Sequence, residues 1–312
     1  MLLQIRHITR YHYEKPVYCE PLTIRLRPRD DSSHRLESFR LKVQPEPAGI
    51  TQFKDLYGNE VTRCWFKGFT SELTVTTDCV VETFLQKPFC FLLAPEAVTL
   101  PLRRGDRVTP IWNYYAEPTT QSAELRALAT ETLHESGGET LAFLTHLTAR
   151  LFRECPTIVR THGATQSPDV TWQQRTGACR DLAHLFNEVC RLVGLPARFV
   201  SGYGYNDFRD ERHLHAWSEV YLPGAGWRGF DPTIGLAVAD RHVAVAAARD
   251  PEDAAPTSGT YLGAGIGSTL EAEVTLQRLD QANQSQSQSL RGQEQILPVE
   301  HLADKVIAFA AE

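Results

Sequence analysis

The period of the apolar residues changes along the chain, and this change limits the fold more than any other feature of the sequence. Up to about residue 110, apolar and polar residues alternate in segments rich in Thr, Val and Tyr, such as "SFRLKVQPEP" and "SELTVTTDCVVETFL". This alternation predicts half-buried β-strands. After "PTTQS", the segments "SAELRALATETLHES" and "ETLAFLTHLTARLFREC" predict two helices, the first capped by Ser122. Strand patterns return in "ARFVSGYGY", "LHAWSEVYL", "GWRGFDP" and "LEAEVTLQRL".

Strands followed by helices and then by antiparallel strands are typical of an α+β protein. At 312 residues the chain is long enough for two domains. We therefore predict an N-terminal β-sandwich over residues 1–110, with a hairpin turn at Gly58-Asn59. We predict a second domain over residues 111–280, in which helices pack on an antiparallel sheet.

The last part of the chain, residues 281–312, has a composition of its own. The segment "QANQSQSQSLRGQEQ", residues 281–295, is a polar low-complexity linker with too few apolar side chains to order itself. Beyond it, Pro298 opens a predicted amphipathic helix. We expect the apolar face of this helix to dock on the same chain; contact with a partner or with a second copy, giving a homo-oligomer, is the alternative.

Charge and composition exclude some classes of partner. With 32 Lys and Arg against 38 Asp and Glu, the net charge is −6, and we find no basic patch that would bind nucleic acid. No apolar run is long enough for a membrane span, and "MLLQIRHITR" lacks the apolar core of a signal peptide. The seven cysteines are odd in number and lack CxxC spacing, which fits reduced thiols. We therefore expect a cytoplasmic protein with no nucleic-acid or membrane partner.

The stretch "TGACRDLAHLFNEVC", from Thr176 to Cys190, places a cysteine at the start of a helix. Cys179 shares an apolar stripe with Leu182 and Phe186, which is compatible with an ordinary core residue. It also lies in the first turn, where unpaired N–H groups and the helix dipole favour a thiolate and can hold an oxyanion. We interpret Cys190, deep in the same helix, as a core residue.

A reactive thiolate needs a proton partner, and the predicted strand "LHAWSEVYL" supplies one. His215 shares a strand face with Trp217 and Glu219, while the other face is apolar and expected to be core. His213 shares the face of His215 and is the competing candidate. Asp231, at the end of the next strand, could orient the imidazole, although an Asp before Pro is also a common turn residue. A short turn at "LPGAG" would place His215 and Asp231 side by side.

These residues match a known family. The segments "TGACRDLAHLFNEVCRLVGLPARFVSGY", "HAWSEVYLPGAGW" and "GFDPT" resemble the transglutaminase-like superfamily, which shares its core with papain-type cysteine peptidases. Residues 1–110 resemble the β-rich N-terminal region of its bacterial and archaeal members. The resemblance implies a papain-like, transglutaminase-like core with Cys179 as nucleophile, His215 as its base and Asp231 as the orienting acid. No acidic loop resembles the calcium sites of animal transglutaminases, so we expect no metal and no cofactor.

The resemblance also bears on the surroundings of the cysteine. In this superfamily the backbone N–H of the cysteine helps to form the oxyanion hole, together with a second donor that varies. Animal transglutaminases use a tryptophan, and Trp172 is our candidate here, with core packing as the alternative. Tyr203 in "SGYGY" is a candidate substrate residue. Arg180 stands where animal enzymes have Trp and matches the bacterial group; it either pairs with a neighbouring acid or steers a substrate carboxylate.

The implied reaction is acyl transfer on a protein or peptide amide through a thioester. Water or a lysine amine then takes the acyl group, and we favour water because transfer to an amine needs an apolar tunnel. Trp172, Trp217 and Trp227 are the candidates to line such a tunnel. Two alternatives stay open: a peptide-binding member of the fold without activity, and a zinc site formed by His213, His215 and Asp231 with Cys179.

Overall fold

Three antiparallel sheets and five α-helices make up the part of the chain that the computed structural model describes, residues 1–102, 109–160, 163–205 and 214–279. The strands are β1 (Leu2–Cys19), β2 (Leu22–Ile24), β3 (His34–Gln44), β4 (Gly49–Lys54), β5 (Glu60–Trp65), β6 (Thr70–Thr83), β7 (Ala197–Gly204), β8 (Leu214–Leu222), β9 (Gly226–Asp231), β10 (Leu236–Ala237), β11 (His242–Ala248), β12 (Thr257–Ser258), β13 (Tyr261–Leu262) and β14 (Ser268–Arg278). The helices are α1 (Pro110–Ala116), α2 (Ala123–Glu135), α3 (Thr140–Glu154), α4 (Pro168–Gln174) and α5 (Cys179–Leu192), and a short 3-10 helix covers Pro95–Ala97. Met1–Arg278 form one compact unit.

The first sheet is built around β1. β6 pairs with one side of β1 and β14 with the other, and β3 continues the sheet beyond β6. Alternate side chains of β1, among them Leu3, Ile5 and His7, are buried because a strand directs every second residue to the same face. The strand predicted in "LEAEVTLQRL" is present as β14. It pairs with β1, at the other end of the chain, and not with β7, β8 or β9.

The second sheet has the order β12-β2-β5-β4 and shares a buried cluster with the first sheet. The cluster consists of Val17, Cys19, Leu22, Ile24, Leu26, Val43, Cys64, Phe66, Leu73 and Val75. The hairpin predicted at Gly58-Asn59 is confirmed: it joins β4 and β5, and Gly58 has a φ of 77°, which glycine adopts without strain. The α+β class is confirmed as well, while the β-sandwich arrangement and the domain limits at 110 and 280 stay predictions.

The third sheet, which we call the core sheet, has the order β10-β9-β8-β7-β11. Helix α5 packs along β8 and β7, and the Oγ of Ser218 on β8 donates a hydrogen bond of 2.9 Å to the carbonyl of Ala183 on α5. Leu182 and Phe186, on the apolar stripe of α5, are fully buried. Each such side chain contributes about 1.5–3 kcal/mol to folding. These contacts fix the start of α5 against the start of β8.

The first sheet packs beside α5 against the core sheet. Leu3 and Ile5 of β1 belong to one buried cluster with Phe199 and Tyr203 of β7 and with Ala183 of α5. The N-terminal strands therefore support the same two elements, β7 and α5, that flank the predicted site.

Among the described residues, no helix is both long enough and apolar enough to cross a bilayer. The predicted linker over residues 281–295 and the predicted helix that opens at Pro298 lie outside the described residues. The cytoplasmic location stays a prediction.

Candidate active site

Cys179 is the first residue of α5, at the place where the sequence predicts a helix start. Its backbone N–H has no acceptor inside the helix, since the first N–H groups of an α-helix have none. The buried carboxylate of Asp181 organises this end: its Oδ2 accepts a 2.8 Å hydrogen bond from the N–H of Ala178. Its Oδ1 accepts hydrogen bonds from the N–H of Gln166 at 2.8 Å and from the guanidinium of Arg160 at 2.6 Å. This network holds the segment before α5 in place near the sulfur.

His215 lies near the start of β8, and its neighbours are glycines. Gly202 of β7 is its partner in the ladder, and Gly204 lies beside its ring. A Cβ on Gly204 would lie 3.2 Å from Cδ2 of His215, and a Cβ on Gly202 would lie 2.6 Å from the Trp217 ring. The two glycines of "SGYGY" therefore give the rings of His215 and Trp217 room to lie over β7.

Asp231 is fully buried at the end of β9, and both of its oxygens accept hydrogen bonds. Oδ2 accepts from Nε2 of His215 at 2.6 Å and from Nε2 of His242 at 3.1 Å. Oδ1 accepts from the backbone N–H of Thr233 at 2.9 Å and from its hydroxyl at 2.6 Å. A buried carboxylate needs such donors, because each unpaired lone pair would carry a desolvation cost.

The ladder between β8 and β9 ends before the predicted histidine. Its last paired residues are Ser218 and Phe230, and β8 continues beyond this pair to Leu214. In this extension the backbone N–H of Ala216 donates a hydrogen bond to the sulfur of Cys179. The end of the ladder is thus where the start of α5 meets β8.

The imidazole of His215 is hydrogen-bonded to the sulfur of Cys179. Because Nε2 of this ring bonds Asp231, Nδ1 is the nitrogen that faces the sulfur. The structure therefore brings the three predicted residues, Cys179, His215 and Asp231, into one hydrogen-bonded chain.

The three groups shift one another's pKa values in a consistent way. Burial raises the pKa of the Cys179 thiol, but the hydrogen bond and charge of His215 and the N–H of Ala216 outweigh it, so this pKa lies below its ordinary value. Burial lowers the pKa of His215, but the charge and hydrogen bond of Asp231 outweigh it, and this pKa lies well above its ordinary value. Burial also raises the pKa of Asp231, which the histidines nevertheless hold below its ordinary value. The directions favour a thiolate, an imidazolium and a carboxylate.

Other predicted site residues lie elsewhere. Tyr203 is 0% exposed and faces the first sheet, where its hydroxyl lies 3.0 Å from Nδ1 of His7. Strand alternation puts Tyr203 on the opposite face of β7 from the two glycines, which corrects its prediction as a substrate residue. Trp172 is buried in the helical core with Arg175 stacked 3.4 Å above its ring, and its role as an oxyanion donor stays a prediction. His213 lies outside the described residues.

The guanidinium of Arg180 points to the segment before α5. It donates hydrogen bonds to the carbonyl of Arg160 at 2.8 Å and to that of Gly163 at 3.1 Å. These contacts tie Arg180 to the segment before α5, beside Cys179, and its pairing with a neighbouring acid stays a prediction. Its steering of a substrate carboxylate stays a prediction.

Sequence reasoning missed two residues that contact Asp231, namely Thr233 and His242. A signal for Thr233 is present, because the side chain of an Asp often accepts a hydrogen bond from the residue two positions later. His242 has no such local signal. It comes close only because β11 pairs with β7, which places His242 opposite Gly204.

His215, Asp231 and His242 are also a possible set of metal ligands, since their ligand atoms all lie within 4.8 Å of one another. This set has His242 in place of His213 and Cys179, the other two ligands of the predicted zinc site. A tetrahedral zinc ion with bonds of about 2.0–2.1 Å holds its ligand atoms about 3.3 Å apart. Nε2 of His215 and Oδ2 of Asp231 lie 2.6 Å apart, which is the distance of a charge-assisted hydrogen bond. The geometry therefore fits a shared proton better than a shared metal ion.

Two family models match the chain. Residues 3–82 match the bacterial transglutaminase-like N-terminal region, and residues 126–232 match the transglutaminase-like superfamily. The second match contains all three residues of the hydrogen-bonded chain, Cys179, His215 and Asp231.

Similar proteins and a similar solved structure cover nearly the whole chain. An uncharacterized protein of Mycobacterium leprae is 29% identical over 286 residues, which is 89% of this chain and 99% of that protein. An uncharacterized protein of Mycobacterium tuberculosis is 26% identical, over 87% of this chain and 91% of that protein. The crystal structure of a candidate cysteine protease from Cytophaga hutchinsonii is 22% identical, with a TM-score of 0.68, and covers 90% of this chain and 92% of that one. This last likeness shows the fold.

Proposed function

Because the chain belongs to the transglutaminase-like superfamily, we propose that it is a cysteine-dependent acyl-transfer enzyme that acts on protein or peptide amides. The observation that carries this proposal is the hydrogen-bonded chain that runs from the partly exposed Cys179 through His215 to the buried Asp231. Such a chain holds a thiolate beside a proton donor, which is what attack on an amide requires.

In the first half of the reaction, the thiolate of Cys179 attacks the amide carbonyl carbon and a C–S bond forms. The carbonyl oxygen becomes an oxyanion, for which the N–H at the start of α5 is a donor. His215 gives its Nδ1 proton to the leaving amine, the C–N bond breaks, and a thioester remains on Cys179. Asp231 keeps the imidazole oriented and stabilises its charge throughout.

In the second half, we propose that water attacks the thioester. His215, now neutral, takes a proton from the water, the C–S bond breaks, and the thiolate and imidazolium form again with release of an acid. Hydrolysis is favoured over transfer to a lysine amine because it asks less of the site, and because Trp172, one of the three candidate tunnel residues, is 5% exposed and packs in the helical core.

The test begins with covalent labelling. A peptide carrying an electrophilic carbonyl should label the native protein at Cys179 at neutral pH, and Cys179→Ala should abolish labelling without unfolding the protein. Cys90→Ala is the matched control, because Cys90 is an exposed thiol outside the site. Equal labelling of Cys179→Ala and the native protein would refute the assignment.

Two further measurements separate the alternatives. Profiling against a peptide and amide library, with and without an added primary amine, distinguishes release of an acid from formation of a new amide. The pH dependence of alkylation distinguishes an enzyme from a binding protein. Alkylation of Cys179 well below the free-thiol pKa of about 8.5 supports the enzyme, whereas alkylation only above it supports a binding protein.

A further inference from the structure

A second histidine contacts the acid of the triad. His242 is 7% exposed at the start of β11, and its Nε2 lies 3.1 Å from Oδ2 of Asp231. This is the same oxygen that accepts the hydrogen bond from His215. Because an ionised carboxylate only accepts hydrogen bonds, the proton of each ring must lie on Nε2. His242 is therefore a second N–H donor to the carboxylate that orients His215.

The position of His242 depends on the strand order of the core sheet. β11 lies beyond β7 and β8 when counted from β9, which carries Asp231. The ring of His242 can approach Asp231 because its ladder partner on β7 is Gly204, which has no side chain to lie between them. The ring of Trp217 also packs edge-on against that of His242, with the ring centroids 5.1 Å apart and an angle of 73° between the planes. The contact between His242 and Asp231 therefore depends on the strand order of the core sheet and on Gly204.

The bonding of His242 is one-sided. Nδ1 is buried and has no hydrogen-bond partner among the described residues. With the proton on Nε2, this Nδ1 is an acceptor without a donor, which costs free energy in a buried position. The contact with Asp231 is consequently the one polar contact that the ring makes within the described part of the chain, and it accounts for a histidine at this position better than packing does.

Hydrogen-bond donors restrain both oxygens of the Asp231 carboxylate. Thr233 holds Oδ1 through its N–H and its hydroxyl, so rotation of the carboxylate is restrained from that side. His242 restrains Oδ2, the oxygen on which the direction of the His215 hydrogen bond depends. If Oδ2 moves, the imidazole turns, and its Nδ1 no longer faces the sulfur.

We propose that His242 is a positioning residue that acts through Asp231 to hold the ring of His215 against Cys179. This inference rests on the proposed function, since it assumes that the thiolate of Cys179 is the reactive group. It adds to the triad a fourth residue that does not touch the substrate.

Alkylation of Cys179 by iodoacetamide tests the proposal without any knowledge of the substrate. The rate is measured from pH 5 to 9 by mass spectrometry of the Cys179 peptide in the full-length protein. In His242→Phe, the ring stays against Trp217 but the donor is lost. We expect the rate at neutral pH to fall about 10-fold, by analogy with the loss seen when the partner that orients a metal-bound histidine is removed.

A double-mutant cycle distinguishes positioning from a structural role. If His242 acts through Asp231, His242→Phe should cost almost nothing further in the Asp231→Asn protein, because residues that act as a unit are not additive. An equal loss in both backgrounds would overturn the proposal. His7→Phe is the matched control, since His7 is a buried histidine bonded to Tyr203 and not to the triad. It should leave the alkylation profile unchanged.

The remaining outcomes are also decisive. If His242→Phe does not fold, as judged by thermal unfolding, His242→Leu, which also lacks a side-chain donor, provides the same measurement. An alkylation profile equal to that of the native protein in the folded variant would overturn the role of His242 alone. Alkylation of the native Cys179 only above the ordinary thiol pKa would overturn the proposed function and this inference with it.

Discussion

Helix α5 carries two cysteines on the same stripe, Cys179 in its first turn and Cys190 near its end. The pKa values of the two thiols are shifted in opposite directions. Cys190 lies in the apolar helical core, where burial raises the pKa of its thiol well above the ordinary value. Burial acts on Cys179 in the same direction, but His215 and the N–H of Ala216 reverse it. Residue type, helix and stripe are shared, so the polar partners near the start of β8 are what lower the pKa of one thiol, while the pKa of the other stays raised by burial.

The largest effect should come from removing the partner that distinguishes the two thiols. In His215→Ala, burial dominates at Cys179 as it does at Cys190, and the pKa of the Cys179 thiol rises. We expect the rate of turnover, and the rate of alkylation at neutral pH, to fall by about 10²–10⁴-fold. His12→Ala is the control, because His12 is a partly exposed histidine on β1. An unchanged rate of alkylation in His215→Ala would contradict the comparison.

A smaller effect should follow from neutralising the acid. The active ion pair exists above the lowered pKa of Cys179 and is lost when the pH passes the raised pKa of His215. Asp231 is the main cause of the raised pKa of His215. Asp231→Asn should therefore move the alkaline limb of the profile of kcat/KM against pH to lower pH. We expect kcat/KM at neutral pH to fall about 10–100-fold. An alkaline limb that stays in place would show that another group sets it.

A third test crowds the ring instead of removing it. In Gly204→Ala the new Cβ would lie 3.2 Å from Cδ2 of His215, so the ring must shift by a few tenths of an ångström. Since a misplacement of about 1 Å can cost 10²-fold in rate, we expect kcat to fall by about 10-fold. Gly259→Ala makes a comparable contact with Leu22, away from the triad, and should keep its full rate. Equal rates for both variants would argue against a role of Gly204 in placing His215.

The smallest effect on reactivity should come from the inert thiol. Cys190→Ala removes a buried sulfur and leaves a small void, so the free energy of unfolding should fall by about 1 kcal/mol in urea titrations. The alkylation rate of Cys179 should not change. A slower Cys179 in a folded Cys190→Ala protein would mean that the two ends of α5 are coupled.

The residues that the sequence could identify are those whose role follows from local pattern. The start of α5, the face of β8 that carries His215, and the end of β9 at Asp231 follow from apolar period and turn residues, and motifs in these segments carry the family resemblance. These residues lie close in the chain to the features that define them. Their predicted neighbourhood is therefore the one observed.

The residues that the sequence placed wrongly or missed depend on contacts between distant segments. The sequence pattern places Tyr203 on a strand, β7. It does not show that the face of β7 that carries Tyr203 packs against the first sheet, where His7 contacts the hydroxyl of Tyr203. Trp172 is a candidate only through the resemblance; it packs in the helical core, and its role as an oxyanion donor stays a prediction. His242 is eleven residues from Asp231 in the chain and meets it only across the sheet.

The amino-acid sequence by itself determined the α+β class, the elements that carry Cys179, His215 and Asp231, and the superfamily. Local periodicity suffices for the class and the elements, because the period of a helix or strand determines which side chains share a face, and the motifs in these elements carry the resemblance to the superfamily. Only the tertiary structure decided what each face meets. The strand order of the core sheet brings His242 across β7 to Asp231, and the early end of the β8–β9 ladder brings the N–H of Ala216 to the sulfur, since both contacts depend on register between strands that no local pattern encodes.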